Sequence, residues 1–208
     1  MIIGLAGGYC AGKNAVAELL ERRGWTCIDA DALGHEAVDM ARDEIVRRFG
    51  AAALGPGGRV DRRALARIVF ADPDALADQE AIIHPLAIRL MEERIAVAEA
   101  AARAGGEEPR VCVNAALLHR TGRAGSCDAI LEVRAPLFIR AWRGMKRDEA
   151  GVLEVLRRIA RQRGFRRALR AAAGSAPIRT IRNSRDRAAL ERALERALDR
   201  SLASIASA

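Results

Sequence analysis

The chain has 208 residues, half of them hydrophobic and 30% charged, with a formal net charge of +8. This balance excludes a disordered chain, and an aromatic content of 3% argues against a stacking platform for single-stranded nucleic acid. The positive charge admits nucleic-acid binding, but 33 arginines carry it against two lysines, Lys13 and Lys146, a bias that base composition also explains.

Ile2 to Gly7 is a short apolar run ending in glycines, which predicts a buried strand. The stretch GGYCAGKN then meets G-x-x-x-x-G-K with Gly7, Gly12 and Lys13. The following NAVAELLERRG repeats Val16, Leu19 and Leu20 at helical spacing, and Gly24 ends it. Strand, glycine loop and helix in this order suit a polyphosphate. Glycines let backbone N–H groups curl inward, the helix start adds unpaired N–H groups, and Lys13 reaches the outer phosphates. Gly8, Cys10, Ala11 and Ala15 complete this candidate nucleotide site. Asn14 departs from the pattern, which has Ser or Thr there to hold magnesium. Its amide oxygen is a hard neutral donor that magnesium accepts. The alternatives are that Asn14 bonds a nearby carboxylate while metal comes with the nucleotide, or that the site is crippled.

WTCIDAD reads as a second strand ending in Asp29 and Asp31. Alternate strand residues share a side, so both aspartates are expected to leave the sheet together, at the edge that carries the glycine loop. Such a carboxylate can accept the proton of an attacking hydroxyl or hold magnesium through water. The plainer reading of Asp31 is a cap for the next helix, which carries His35 and closes at Gly50.

GPGGRV marks a turn and Asp61 a helix cap. The helical stretch up to Gly105 and Gly106 contains His84 and Pro85, where a kink or a joint between helices is expected. RVCVN and CDAILEV are the third and fourth strands, with Leu117, Leu118 and His119 in the loop between them. Two basic helices follow. Arg140, Arg143, Lys146 and Arg147 recur at helical spacing, as a solvated face or as a lid over phosphates. Gly144 and Gly151 are expected to loosen this pair. PIRTIRN is a fifth strand, and the closing helix is expected to be capped at Ser184 and to fray over its last few residues. Trp25 and Trp142 are expected as packing anchors. Alternating apolar strands and helices predict an α/β fold with a helix-covered parallel sheet. The four cysteines show no C-x-x-C spacing, and with the three histidines they are too scattered for zinc. Neither a basic leader nor a long apolar run is present, so a reduced, cytoplasmic protein is expected.

GLAGGYCAGKN followed by IDADALGHEAV resembles the dephospho-coenzyme A kinase family, and IIHPLAIRL, RAPLFIRAWRGMKRDEA and IRNSRDRAALERAL resemble later family segments in order. The resemblance implies a P-loop kinase core with a five-stranded parallel sheet at 1–60, 107–142 and 170–208. It also implies a helical acceptor-binding insertion at 61–106 and a small helical lid at 143–169. The implied reaction moves the γ-phosphate of ATP, with Mg2+, to the ribose 3′-hydroxyl of dephospho-coenzyme A, the last step of coenzyme A biosynthesis. By the same likeness Asp31, Lys13 and Arg143 are catalytic, and Arg147 and Asn183 join the loop in binding ATP. Asp31, His35, His84, Arg89 and Leu117 line the acceptor site, and Asn14 and Asp29 hold Mg2+. The expected assembly is a monomer or weak homo-oligomer with neither membrane nor nucleic acid as partner. The alternatives are another nucleoside or nucleotide kinase, or a non-catalytic nucleotide-binding protein with nucleic-acid affinity. The chain departs from the family at Asn14, at Asn114 for an aspartate, at Ala116 for a proline and at Arg120 for an acidic residue.

Overall fold

The computed structural model describes residues 1–206. The fraying expected at the end of the chain falls, in residues 207 and 208, outside the described residues.

Strands β1 (Ile2–Gly7), β2 (Thr26–Asp29), β3 (Val111–Asn114), β4 (Ala129–Arg134) and β5 (Ile178–Arg182) form one parallel sheet in the order β2-β3-β1-β4-β5. The register sets Leu5 beside Asn114 on one side and Leu131 on the other, and sets Asp29 beside Asn114. Helices α1 (Lys13–Glu21) and α9 (Arg187–Ala206) cover one face. There Ile3, Leu5, Leu131 and Ile181 pack against Val16, Leu20, Leu190 and Leu194, the stripe that the helical period selects. Buried Trp25 joins this core, as expected. Gly4 turns toward Leu118, and a Cβ there would lie 2.4 Å from Leu118 Cδ2. The strand thus needs a glycine where the loop after β3 packs onto it.

Two compact units divide the chain, one made of Met1–Asp29 with the chain from Val97 onward, the other of Ala30–Ala96. The second unit holds α2 (Ala30–Met40), α3 (Arg42–Phe49), α4 (Arg62–Ala71) and most of α5 (Pro73–Ala104). Its own core gathers Val38, Ile45, Val60, Leu65 and Val69, with Ile83 and Leu86 against them. Asp61 caps α4 as expected, its carboxylate accepting the N–H groups of Arg63 at 2.8 Å and Ala64 at 3.2 Å.

Three local expectations are corrected. Of the kink or joint expected at Pro85, the joint between helices is ruled out, because α5 runs through it. The missing N–H frees the carbonyl of Ala81, and both residues are exposed, so water can take that bond. Strand alternation does not extend to Asp31: β2 stops at Asp29, α2 starts at Ala30, and Asp31 stands in the first helical turn. An acid there faces the positive end of the helix dipole. Ser184 is not the cap of α9; Asp186 is, accepting the N–H of Ala189 at 2.7 Å.

Candidate functional site

The site starts where β1 gives way to α1. Between Gly7 and Lys13 the backbone enters the left-handed region twice, at Cys10 (φ 55°) and at Gly12 (φ 94°). Such reversals turn successive N–H groups toward a common concavity that suits an anion. At Cys10 the conformation is unusual for a residue with a Cβ. At Gly12 a Cβ would fall 1.9 Å from Asn183 Nδ2.

Asn183, the first residue after β5, is 6% exposed and braces the loop from behind. Its Nδ2 donates to the Ala11 carbonyl at 3.0 Å, and its N–H donates to the Arg134 carbonyl at 2.7 Å. Lys13 opens α1 and donates through Nζ to Oδ1 of buried Asn114 at 2.5 Å. Asn114 therefore meets the loop lysine as a neutral acceptor. Asn14, the second residue of α1, and Asp29, the last of β2, are exposed. Among the described residues no group of three or more His, Cys, Asp or Glu side chains could hold a metal ion.

Helices α6 (Leu137–Asp148), α7 (Val152–Ala160) and α8 (Phe165–Ala173) belong to the same unit as the loop. They grip the loop residue by residue. Arg140 Nε donates to the Tyr9 carbonyl at 2.7 Å, and the Tyr9 N–H donates to Gln162 Oε1 at 2.6 Å. Arg143 reaches the Asn183 side-chain oxygen at 3.3 Å and the Ala11 carbonyl at 3.5 Å. The Arg147 guanidinium lies 4.9 Å from the centre of the Tyr9 ring, and its Nε donates to Asp148 at 2.7 Å. Burial lowers the Arg140 pKa from its ordinary value. A cavity of about 360 Å³ lies beside the loop, with Gly8, Ala11, Glu132, Arg134, Arg140 and Arg163 in its wall. Buried Glu132 pairs there with Arg134, and with Arg166 at 3.3 Å.

The structure thus brings Gly7, Gly8, Cys10, Ala11, Gly12, Lys13, Asn14 and Ala15 together with Arg143, Arg147 and Asn183. Leu117, half-buried, follows β3 in the same unit. Asp31, His35, His84 and Arg89 belong to the other unit. There Asp31 and His35 are exposed on α2, and His84 and Arg89 are exposed on α5, with Arg89 3.7 Å from Glu93.

One further expectation changes, at Trp142. At Gly144 a Cβ would lie 2.7 Å from Val155 Cγ1 and 2.9 Å from Tyr9 Cε1, so the glycine seats the ring. Trp142 is 59% exposed, with Lys146 Nζ 5.6 Å from its ring centre, and anchors no core. His119 packs edge-on to Phe165 at 5.6 Å, and burial, then the Arg120 charge, lowers its pKa. Tyr9, Gln162 and Glu132 were missed by sequence reasoning. For Tyr9 a signal existed, since it is the single tyrosine of the chain and stands inside the glycine loop.

Comparison with known proteins adds a family. The family model described as CoaE, dephospho-CoA kinase, matches residues 1–174. A dephospho-CoA kinase of Geobacter metallireducens is 42% identical over 165 residues, spanning 78% of this chain and 80% of that protein. One from Treponema pallidum is 36% identical over 171 residues, 79% of each. A crystal structure from Thermus thermophilus superposes with a TM-score of 0.73 at 36% identity, over 98% of this chain and 97% of the other. The dephospho-CoA kinase of Campylobacter jejuni shares the fold, with a TM-score of 0.68 at 19% identity over 95% of each chain.

Proposed function

The chain belongs to the dephospho-CoA kinase family, and on that footing we propose that it transfers the γ-phosphoryl group of ATP to the ribose 3′-hydroxyl of dephospho-coenzyme A. The products are coenzyme A and ADP. One observation carries the reading: a glycine loop whose backbone is held open by two left-handed residues, with Lys13 at its end and Arg140, Arg143 and Arg147 against it. Such a cradle fits a triphosphate in the class of residues it offers, N–H groups and cations, with a cavity beside it.

In this account the loop holds the ATP phosphates through N–H groups other than those of Tyr9 and Ala11, which donate to Gln162 and to the Gly8 carbonyl. Lys13 follows the charge that grows on the transferring group, and Asn114 orients its ammonium without adding a negative charge. Arg143 and Arg147 neutralise the phosphate oxygens, and the lid helices displace water from them. Asp31 accepts the proton of the ribose hydroxyl. His35, His84, Arg89 and Leu117 recognise the acceptor. Magnesium, when bound, supplies further neutralisation of the phosphates. Asn14 and Asp29, both exposed, would hold it, an amide oxygen and a carboxylate being the hard oxygen donors that magnesium takes. A cytoplasmic setting belongs to the same proposal. The four cysteines are free thiols, and among the described residues no helix is long and apolar enough to cross a membrane.

The test is ADP release with ATP and magnesium against dephospho-coenzyme A, AMP, CMP and free nucleosides. Dephospho-coenzyme A should be much the best acceptor. Equal turnover with a nucleoside monophosphate would support a different nucleotide kinase, and no turnover with any acceptor would support a non-catalytic nucleotide binder.

A further inference from the structure

Tyr9 occupies a position that the glycine-loop pattern leaves unspecified, yet it is held at its ring, hydroxyl and backbone. Its ring faces the Arg147 guanidinium at 4.9 Å from the ring centre, within cation–π range. Its hydroxyl donates to Asp148 Oδ2. Asp148 is the same carboxylate that accepts from Arg147, by Nε at 2.7 Å and by Nη2 at 3.2 Å, and from Arg158 at 2.5 Å. The Arg147 guanidinium, and next the Tyr9 hydroxyl, hold the Asp148 carboxyl well below the usual carboxylate range, so it stays an acceptor throughout the working pH range. The backbone of Tyr9 is pinned as well, by Gln162 on its N–H and by Arg140 on its carbonyl. Gly144 leaves room for the ring, since a Cβ there would stand 3.2 Å from the Tyr9 hydroxyl oxygen.

We propose that Tyr9 is a positioning residue for the phosphoryl-transfer step, fixing the Arg147 guanidinium by its ring on one side and through Asp148 on the other. An arginine left 61% exposed has many rotamers to choose from. Two anchors on one guanidinium remove most of that freedom before substrate arrives. The group is then aimed in advance at the charge it meets in the transition state. Because Tyr9 lies within the glycine loop itself, the arginine is referenced directly to the phosphate cradle. This inference rests on the kinase reading of the site.

The experiment compares the full chain with Tyr9→Phe, Tyr9→Leu, Arg147→Ala and the Tyr9→Leu/Arg147→Ala double variant, in steady-state turnover of ATP and dephospho-coenzyme A. Tyr9→Phe keeps the ring and loses a hydrogen bond to a charged group, so kcat should fall roughly tenfold with KM for ATP almost unchanged. Tyr9→Leu should fall by about a further threefold to tenfold. In the Arg147→Ala background the same Tyr9→Leu change should have little effect, because the residue it positions is gone. An equal loss in both backgrounds, or a loss confined to KM, would overturn the proposal and leave Tyr9 as loop packing. A second measurement needs no turnover: the Arg147 Nε–H resonance in the free protein. It should shift strongly in Tyr9→Leu and weakly in Tyr9→Phe, and a resonance unmoved by Tyr9→Leu would overturn the proposal. If the unaltered protein fails to phosphorylate dephospho-coenzyme A, the functional reading falls, while the resonance still decides what Tyr9 does to Arg147.

Discussion

Gly12→Ala is the sharpest structural perturbation available in the loop. Gly12 sits at φ 94°, and its new methyl would lie 1.9 Å from Asn183 Nδ2. Two costs follow. Holding a residue with a Cβ in the left-handed region costs about 1–2 kcal/mol. Moving Asn183 away strands a buried donor that now bonds the Ala11 carbonyl at 3.0 Å, at about 1–3 kcal/mol. The sum is about 2–5 kcal/mol of stability in the unit that contains the sheet. Urea unfolding followed by the emission of buried Trp25 reads that unit directly. In an Asn183→Ala background the clash disappears, so Gly12→Ala should cost only the backbone portion, about 1–2 kcal/mol. A Gly12→Ala protein within about 0.5 kcal/mol of the original would refute the reasoning. So would a cost that is unchanged when Asn183 is truncated.

Four other outcomes are expected. Lys13→Ala should lower turnover by about 10²-fold or more while far-ultraviolet circular dichroism stays unchanged, because the side chain serves the loop and packs in no core. Asn14→Ser should preserve or raise activity and move the dependence on free magnesium; superimposable magnesium curves would remove Asn14 from the metal site. Asp31→Asn should lower kcat by roughly 10²-fold with ATP affinity by titration little changed, and normal turnover would make Asp31 a helix-terminal acid only. His119 has a lowered pKa in the folded protein, so it binds its proton less readily folded than unfolded. Its contribution to stability is present above about pH 6.5 and is lost as pH falls through the folded value. His119→Phe should flatten the unfolding midpoint against pH over that window, and an unchanged slope would place the dependence elsewhere.

What the residues themselves made legible was mostly local, while the alternation of strands and helices, with the family resemblance, gave the five-stranded parallel sheet. Gly7, Gly12 and Lys13 announce the loop because a tight turn leaves only a few residue types possible, and the apolar period of Val16, Leu19 and Leu20 announces α1. Asp61 was legible as a cap because the motif closes within three residues. The errors share a cause. Nothing between Asp29 and Ala30 breaks the chain, so the point where strand becomes helix is set by packing and cannot be read from alternation. Pro85 carries a strong prior for a break, which an exposed turn of a long helix overrides. The clasp on the loop was hidden for another reason. Tyr9 meets Asp148 and Gln162 across separations of 139 and 153 residues, and Lys13 meets Asn114 across 101. Contacts of that range are made by the sheet order, which brings β3 and β4 to either side of β1.

The position of the transferred phosphate tests the central claim most directly. The protein, ATP, magnesium and dephospho-coenzyme A are incubated together, and the product is examined by phosphorus NMR with two-dimensional proton correlation. The account predicts one new phosphomonoester signal, correlated to the ribose H3′, in equal amount to the ADP formed. ADP formed without that signal, or a phosphate attached to any other hydroxyl, would contradict it.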